Sequence, residues 1–338
     1  MMNRLFDFRC NWLAQYAREI TLFDPELQPD PSDRLARLEG YLQTTSAFVV
    51  PCGPPRAEWE RVADPWRMLS ELATRVEAEF SGRTLHGPAD LERFRDDPHG
   101  LAWAVLAIDG LDALVREAAD VERAASYVGR GVRVIRLVSR PGSSVAGGDG
   151  EGDERGLLDL GRSLLDRLAA VGPEANGVRP SIDLTGLNAQ ARAEVLDWFE
   201  AEPARAEALI PVGRAGAASL EGGEQAGRLA LEDLRRIRSL GGWVGIEVGP
   251  PQTGGPEEFA RAIEVASNPP RLGRPGPEGL LVSSCFLDES RFTQLLGDAP
   301  AILDWLRANL DRSSSRAVGW ENGIEWLEAM IGAGTERG

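Results

Sequence analysis

Lysine is missing: all 37 basic residues of this 338-residue chain are arginine. That excludes a Schiff-base lysine, a P-loop lysine and a lysine general base. Histidine occurs only as His86 and His99, so one copy of the chain cannot build a site from three or four imidazoles. The three cysteines, Cys10, Cys52 and Cys285, are widely spaced with no CxxC, which rules out a disulfide framework or a zinc finger and fits a reducing, cytoplasmic compartment. Long apolar runs are also lacking. No stretch approaches the roughly 18 residues of a membrane span, and the opening MMNRLFDFRCNWLAQY is too polar for a signal peptide. Positive charge is in deficit, with 53 acidic residues giving a net charge of −16. A nucleic-acid or anionic-membrane partner is therefore not expected, because phosphate recognition needs a dense basic surface.

What the chain does have is an alternation of short β-rich runs with longer helical ones, the pattern of a parallel sheet with crossover helices. Candidate strands are Leu5–Cys10, Trp103–Ile108, Val132–Val138, Pro180–Leu184, Leu209–Val212, Trp243–Val248 and Leu280–Phe286. Between them, segments such as LDALVREAADVERAASYVG and GRLALEDLRRIRSLGG carry a period near 3.6. Glycines at 129, 172 and 241 are expected to cap helix ends. Seven such strands in one unbroken chain point to a single-domain (β/α)8 TIM-type barrel over residues 1–338. A doubly wound sheet is the alternative, weakened by the lack of a GxGxxG after the first strand. PGSSVAGGDGEGDE (141–154) reads as a flexible, solvated loop whose alternating acids only faintly resemble a calcium loop.

In such a barrel, chemistry belongs where strands end. Those ends read FDFRCN, LAIDGLDAL, IRLVSR, SIDLTG, LIPVGRAGAASL and LVSSCFLD. In order and spacing they resemble the landmarks of the membrane (renal-type) dipeptidases of the amidohydrolase superfamily: DGHND, SIEG, LTHN, VDLSH, SHSSARAL and SDFDG. Farther along, SLGGWVGIEV is similar to the family's GGVVMVNF region, and GWENGIEWLEAM to its tail. The resemblance runs from about Leu5 to Met330. It implies a (β/α)8 barrel, a binuclear zinc centre that hydrolyses dipeptides, and a homodimer.

Position by position, however, the residue types that would do this chemistry are replaced. Arg9 stands at a histidine ligand and Asn11 at an aspartate ligand. Asp109 stands at the bridging glutamate, and Gly186 and Arg214 at two further histidines. Cys285 stands at the proton-handling aspartate, Ser139 at a substrate-side histidine, and Ala218 at the arginine that grips a substrate carboxylate. A guanidinium is donor-only and glycine has no side chain, so neither holds a cation. The sequence therefore leads to the expectation of no bound zinc and of a pseudoenzyme that binds a partner or a small anion such as a carboxylate, with Arg9 and Arg214 set against Asp109. The competing expectation is an active hydrolase, either with unrecognised metal ligands or metal-free and using Cys285 or Asp109. Other polar residues have plainer expectations. His99 and His86 are placed at the surface or in structural roles, Cys10 in packing, Asp183 in a hydrogen bond away from the cavity, and Glu247 in a solvated or salt-bridged role. Trp103, Trp243, Trp305 and Trp326 are expected to pack strands and helices.

Overall fold

In the computed structural model, which describes residues 4–9, 41–53, 62–97, 100–174, 177–221, 228–248, 256–284 and 299–332, eight parallel strands pair in sequence order until the last meets the first. They are β1 (Leu5–Asp7), β2 (Thr45–Cys52), β3 (Trp103–Asp109), β4 (Val132–Arg136), β5 (Ser181–Asp183), β6 (Ile210–Ala215), β7 (Trp243–Glu247) and β8 (Leu280–Ser283). The (β/α)8 barrel expected from the alternation is the observed fold.

One strand escapes the sequence reading. β2, TSAFVVPC, runs into Gly53 and two prolines, and those turn residues mask its apolar run. Its alternation is regular: Phe48, Val50 and Cys52 pack in the outer core, while Ala47 and Val49 belong to the inner one. Cys52 is fully buried, and burial pushes its thiol up to about 12.

The longer helices cover the outside: α1 (Pro65–Glu79), α2 (Pro88–Asp96), α3 (Ala118–Gly129), α4 (Asp159–Glu174), α5 (Ala189–Ala201), α6 (Leu231–Ser239), α7 (Pro256–Ser267), α8 (Ala299–Asn309) and α9 (Asn322–Ile331). In α3 the buried residues Val121, Ala124, Ala125 and Val128 fall at helical spacing and face the sheet. The glycine caps are only partly where the sequence suggests. Gly241 has a left-handed φ of 76°, but α3 is ended by Gly131 (φ 100°) two residues after Gly129. Helix α4 continues through Gly172, and the left-handed residue is Gly177, whose N–H donates to the Gly172 carbonyl.

Two cores result. One lies between sheet and helices, and the other fills the barrel, where the inward residues alternate along each strand. At the amino-terminal end α9 drives Trp326 against Phe6 and Phe8, with ring centroids 5.8 and 5.1 Å away, and its indole N–H donates to Ser181 Oγ. Gly323 permits this approach, since a Cβ there would lie 2.1 Å from the Phe6 ring. The carboxyl-terminal end is polar.

The loop at 141–154 is fastened down, not wholly solvated. Val145 and Ala146 are buried, and Asp153 accepts hydrogen bonds from the N–H groups of Gly142 and Gly148. Arg155 pairs with the same carboxylate, and these donors hold Asp153 well below the usual carboxylate range. A carboxylate this committed is not a calcium ligand. His86 is half-buried, not exposed: its ring packs on Gly131, with Nε2 3.7 Å from Glu77. His99 lies outside the described residues.

Candidate functional site

On five of the eight strands the pleat carries the inward row of residues to a charge at the mouth. On β3 the row Trp103, Val105, Ala107 ends in Asp109; on β4, Val134 is followed by Arg136; on β5, Ser181 by Asp183. On β6, Ile210 and Val212 lead to Arg214, and on β7, Trp243 and Gly245 lead to Glu247. Five adjacent strands thus present acid, base, acid, base, acid. Register supports this directly on the first three, where Asp109 is the Cα partner of Arg136 and Arg136 of Asp183.

The contacts are close. Arg136 Nη1 donates to Asp109 Oδ1 at 2.8 Å, and Arg9, just past β1, donates from Nη2 to Asp109 Oδ2 at 2.8 Å. Burial alone would raise the Asp109 pKa, but the two cations win and hold the carboxyl far below its ordinary range. Arg214 Nη1 donates to Glu247 Oε1 at 2.9 Å, and Arg228 Nε to Glu247 Oε2 at 2.6 Å. Glu247 is 1 % exposed and Arg214 2 %, so this pair is shut away from water. Arg214 also sits 3.9 Å from Asp183. Its guanidinium is pushed down to about 10, first by burial and next by the neighbouring Arg9 cation.

Gly186 explains how Arg136 fits. Its φ is 95°, and a Cβ built on it would lie 2.4 Å from the Val138 carbonyl oxygen and 2.6 Å from Arg136 Nη2. Arg136 further donates from Nε to the Thr185 carbonyl at 2.7 Å. The guanidinium therefore occupies the space a side chain at 186 would need.

Of the residues singled out from the sequence, Arg9, Asp109 and Arg214 converge on one void, and Gly186 borders it through Arg136. Ser139 does not join them. Its hydroxyl and N–H both donate to Asp112, at 3.0 and 2.8 Å, and Arg140 Nε lies 3.3 Å from the same carboxylate. Asn11 and Cys285 lie outside the described residues, as does Cys10; Ala218 is the second residue of a short helix, Ala217–Leu220. Asp183 lies opposite to its expected direction. The sequence reading counted strand alternation back from Gly186, but β5 ends at Asp183 and the left-handed glycine breaks the period. Glu247 proves fully buried and paired with two arginines. Arg136 and Arg228 went unrecognised, although Arg136 could have been found by continuing the inward parity of β4 one step.

The void itself measures about 20 Å³ and is lined by Phe8, Arg9, Asp109, Arg136, Asp183 and Arg214 among others. That is room for about one water. Among the described residues no group of three or more His, Cys, Asp or Glu side chains is arranged to hold a metal ion, and no helix is long and apolar enough to cross a membrane.

No protein-family profile matches the chain. In fold it is similar to a dipeptidase of metallopeptidase family M19, with a TM-score of 0.69, 18 % identity and coverage of 98 % of this chain and 100 % of that one. A metallopeptidase from Rhodobacter sphaeroides, solved with a phosphinate mimic of the dipeptide L-Ala-D-Ala, superposes equally well, with the same TM-score, identity and coverage. An amidohydrolase from Pseudomonas aeruginosa follows, at a TM-score of 0.66 and 15 % identity, covering 98 % of this chain and 97 % of that one. The resemblance drawn from the motifs thus has its counterpart in the architecture. One curated protein, an N-(5'-phosphoribosyl)anthranilate isomerase from Sinorhizobium medicae (strain WSM419), is 33 % identical over 126 residues, or 36 % of this chain. The chain spans about half that enzyme's length, 54 %.

Proposed function

We propose that this chain is a dipeptidase-like barrel in which paired guanidinium and carboxylate groups replace the binuclear metal centre, leaving a pseudoenzyme that binds a small anion or a partner. One observation carries the reading: Arg136 lies where a side chain at 186 would stand and, with Arg9, grips the carboxylate at the bridging position. Zinc needs lone pairs directed at it, and the described residues around the void do not fit that need. Arg9, Arg136 and Arg214 donate only. Asp109 is saturated by two cations and Glu247 by two more, so a metal would have to displace guanidiniums from both. The reading extends to a homodimer in a reducing cytoplasm, as the resemblance and the cysteine usage suggest.

The experiment is a panel of L,L- and L,D-dipeptides incubated with purified protein, with and without added zinc. The reading expects no turnover above the buffer blank in either condition. Zinc-dependent release of amino acids, abolished by chelation, would overturn it.

A further inference from the structure

Among the described residues the carboxyls of Asp7, Asp112, Asp183 and Glu247 are buried. Three of them stand beside an arginine. Arg140 lies 3.3 Å from Asp112, Arg214 lies 3.9 Å from Asp183, and Arg214 and Arg228 grip Glu247. Asp7 is the exception. It is 0 % exposed, and no cation among the described residues pairs with it. Arg9, two residues on, turns its guanidinium to Asp109. The flanking strands β2 (TSAFVVPC) and β8 (LLVS) carry no charged side chain, and their one titratable group is the Cys52 thiol. Phe6 and Phe8 belong to the barrel interior, so alternation turns Asp7 outward, where Leu5 and Tyr41 pack in the outer core.

The two oxygens of this carboxyl have different company. Oδ1 accepts from the N–H groups of Arg9 at 3.1 Å and Ser284 at 2.9 Å, which can only donate. Oδ2 meets two hydroxyls, Tyr41 Oη at 2.7 Å and Ser284 Oγ. A hydroxyl donates or accepts, so the set satisfies a protonated carboxyl as fully as an ionised one: Oδ2–H donates to Ser284 Oγ while Tyr41 still donates to Oδ2. The choice falls to charge, and a buried carboxylate without a cation is the costly state. Burial raises this carboxyl pKa by more than the four hydrogen bonds lower it. Both contacts to Ser284 cross the closing seam of the barrel. Among the described residues β1 and β8 pair in register only at Asp7 and Val282, beside the bond from Phe8 N–H to the Val282 carbonyl, whereas β2 and β3 pair from Ala47 to Cys52.

We infer that Asp7 is a neutral carboxylic acid in the folded chain and acts as a pH-sensitive latch on the β1–β8 seam, tight while protonated and loosened on ionisation. Asp7→Asn tests this, because the amide keeps the shape, accepts both N–H groups through Oδ1 and donates to both hydroxyls through Nδ2. Folding constants of the unaltered chain and the variant are measured by urea denaturation from about pH 4 to about pH 9, so that the other titrating groups cancel in their ratio. A carboxyl neutral in the folded state contributes stability that is complete below its unfolded pKa of about 3.9 and is lost as pH rises to its folded value. The ratio of variant to unaltered chain should therefore grow about tenfold per pH unit above about pH 4, until a break at the folded pKa. A ratio flat over that range overturns the inference, since the folded chain would then hold an ionised carboxylate at the seam. If Asp7→Asn does not fold, the carbon-13 resonance of the Asp7 carboxyl in the unaltered chain decides. It should titrate above the ordinary range, and a carboxylate signal already complete by about pH 5 is the contrary result. Hydrogen exchange reads the latch itself. Above the break, protection of the Phe8 and Ser284 N–H groups should fall in the unaltered chain and hold in Asp7→Asn; equal protection in both contradicts a latch.

Discussion

The two ends of this barrel use the same side chain for opposite purposes. At the amino-terminal end, arginines bind backbone carbonyls. Arg238 donates to Pro269, Gly276 and Glu278, Arg133 to Val128, Val132 and His86, Arg271 to Gly241 and Gly242, and Arg179 to Ala206. At the carboxyl-terminal end, Arg9, Arg136, Arg214 and Arg228 bind carboxylates. The first arrangement satisfies loop and helix-end carbonyls that the turns between elements leave orphaned. Burial pushes Arg133 and Arg238 down to about 10 there, and the nearby carboxylates of Asp90 and Glu278 offset it only in part. In the second arrangement charge answers charge across five strands. A lysine-free chain thus staples its base with guanidinium forks and fills its mouth with them.

The largest effect that sharpens this contrast is at Asp109. Asp109→Ala leaves Arg9 and Arg136 facing each other without their anion and is expected to cost about 3–5 kcal/mol, measured by urea denaturation. A loss under about 1 kcal/mol would mean that the charge array at the mouth is not coupled to folding. At the other end, Arg238→Met keeps the volume but strands three carbonyls and is expected to cost about 3 kcal/mol. That loss should add to the loss in Asp109→Ala when the two are combined, and a coupling above about 1 kcal/mol would erase the distinction between the ends.

Glycine substitutions give a smaller, matched comparison. Gly186→Ala forces a Cβ into Arg136 and the Val138 carbonyl and should cost about 2–4 kcal/mol in thermal unfolding. Gly142→Ala shares a positive φ of 85° but meets nothing within 4 Å, so backbone strain alone should cost about 1 kcal/mol. Equal losses would show that Arg136 does not fill the space at 186.

How much of this was legible in the sequence depended on periodicity. Seven strands and the closed barrel followed from alternating apolar runs and helical segments, and the missing strand was the one interrupted by proline. The strand-end motifs located Arg9, Asp109 and Arg214 correctly at one void. They could not reveal Arg136, because its role depends on the absence of a side chain at Gly186, fifty residues away in sequence. Asp183 was misdirected because alternation was carried past the end of β5 into a left-handed turn. Ser139 took its position from motif order, whereas its orientation is set by Asp112.

The smallest effect concerns pH. Asp109 is depressed in the folded state, so its stabilising contribution is fully present above the ordinary carboxylate pKa of about 3.9 and is lost as pH falls toward its folded value. Between pH 4 and 2, stability in urea should therefore decline less steeply in Asp109→Asn than in the unaltered chain. Arg238→Met should retain the full slope, since no carboxylate partner is lost there. Identical slopes in all three would separate the acid sensitivity from Asp109 and its arginine partners.

The most direct measurement is the zinc content of the full chain after exposure to excess zinc and dialysis, read by elemental mass spectrometry. With guanidiniums holding Asp109 and Glu247, the protein should retain far less than one zinc per chain. Two zinc ions retained per chain would contradict the claim that arginine stands in place of the metal centre.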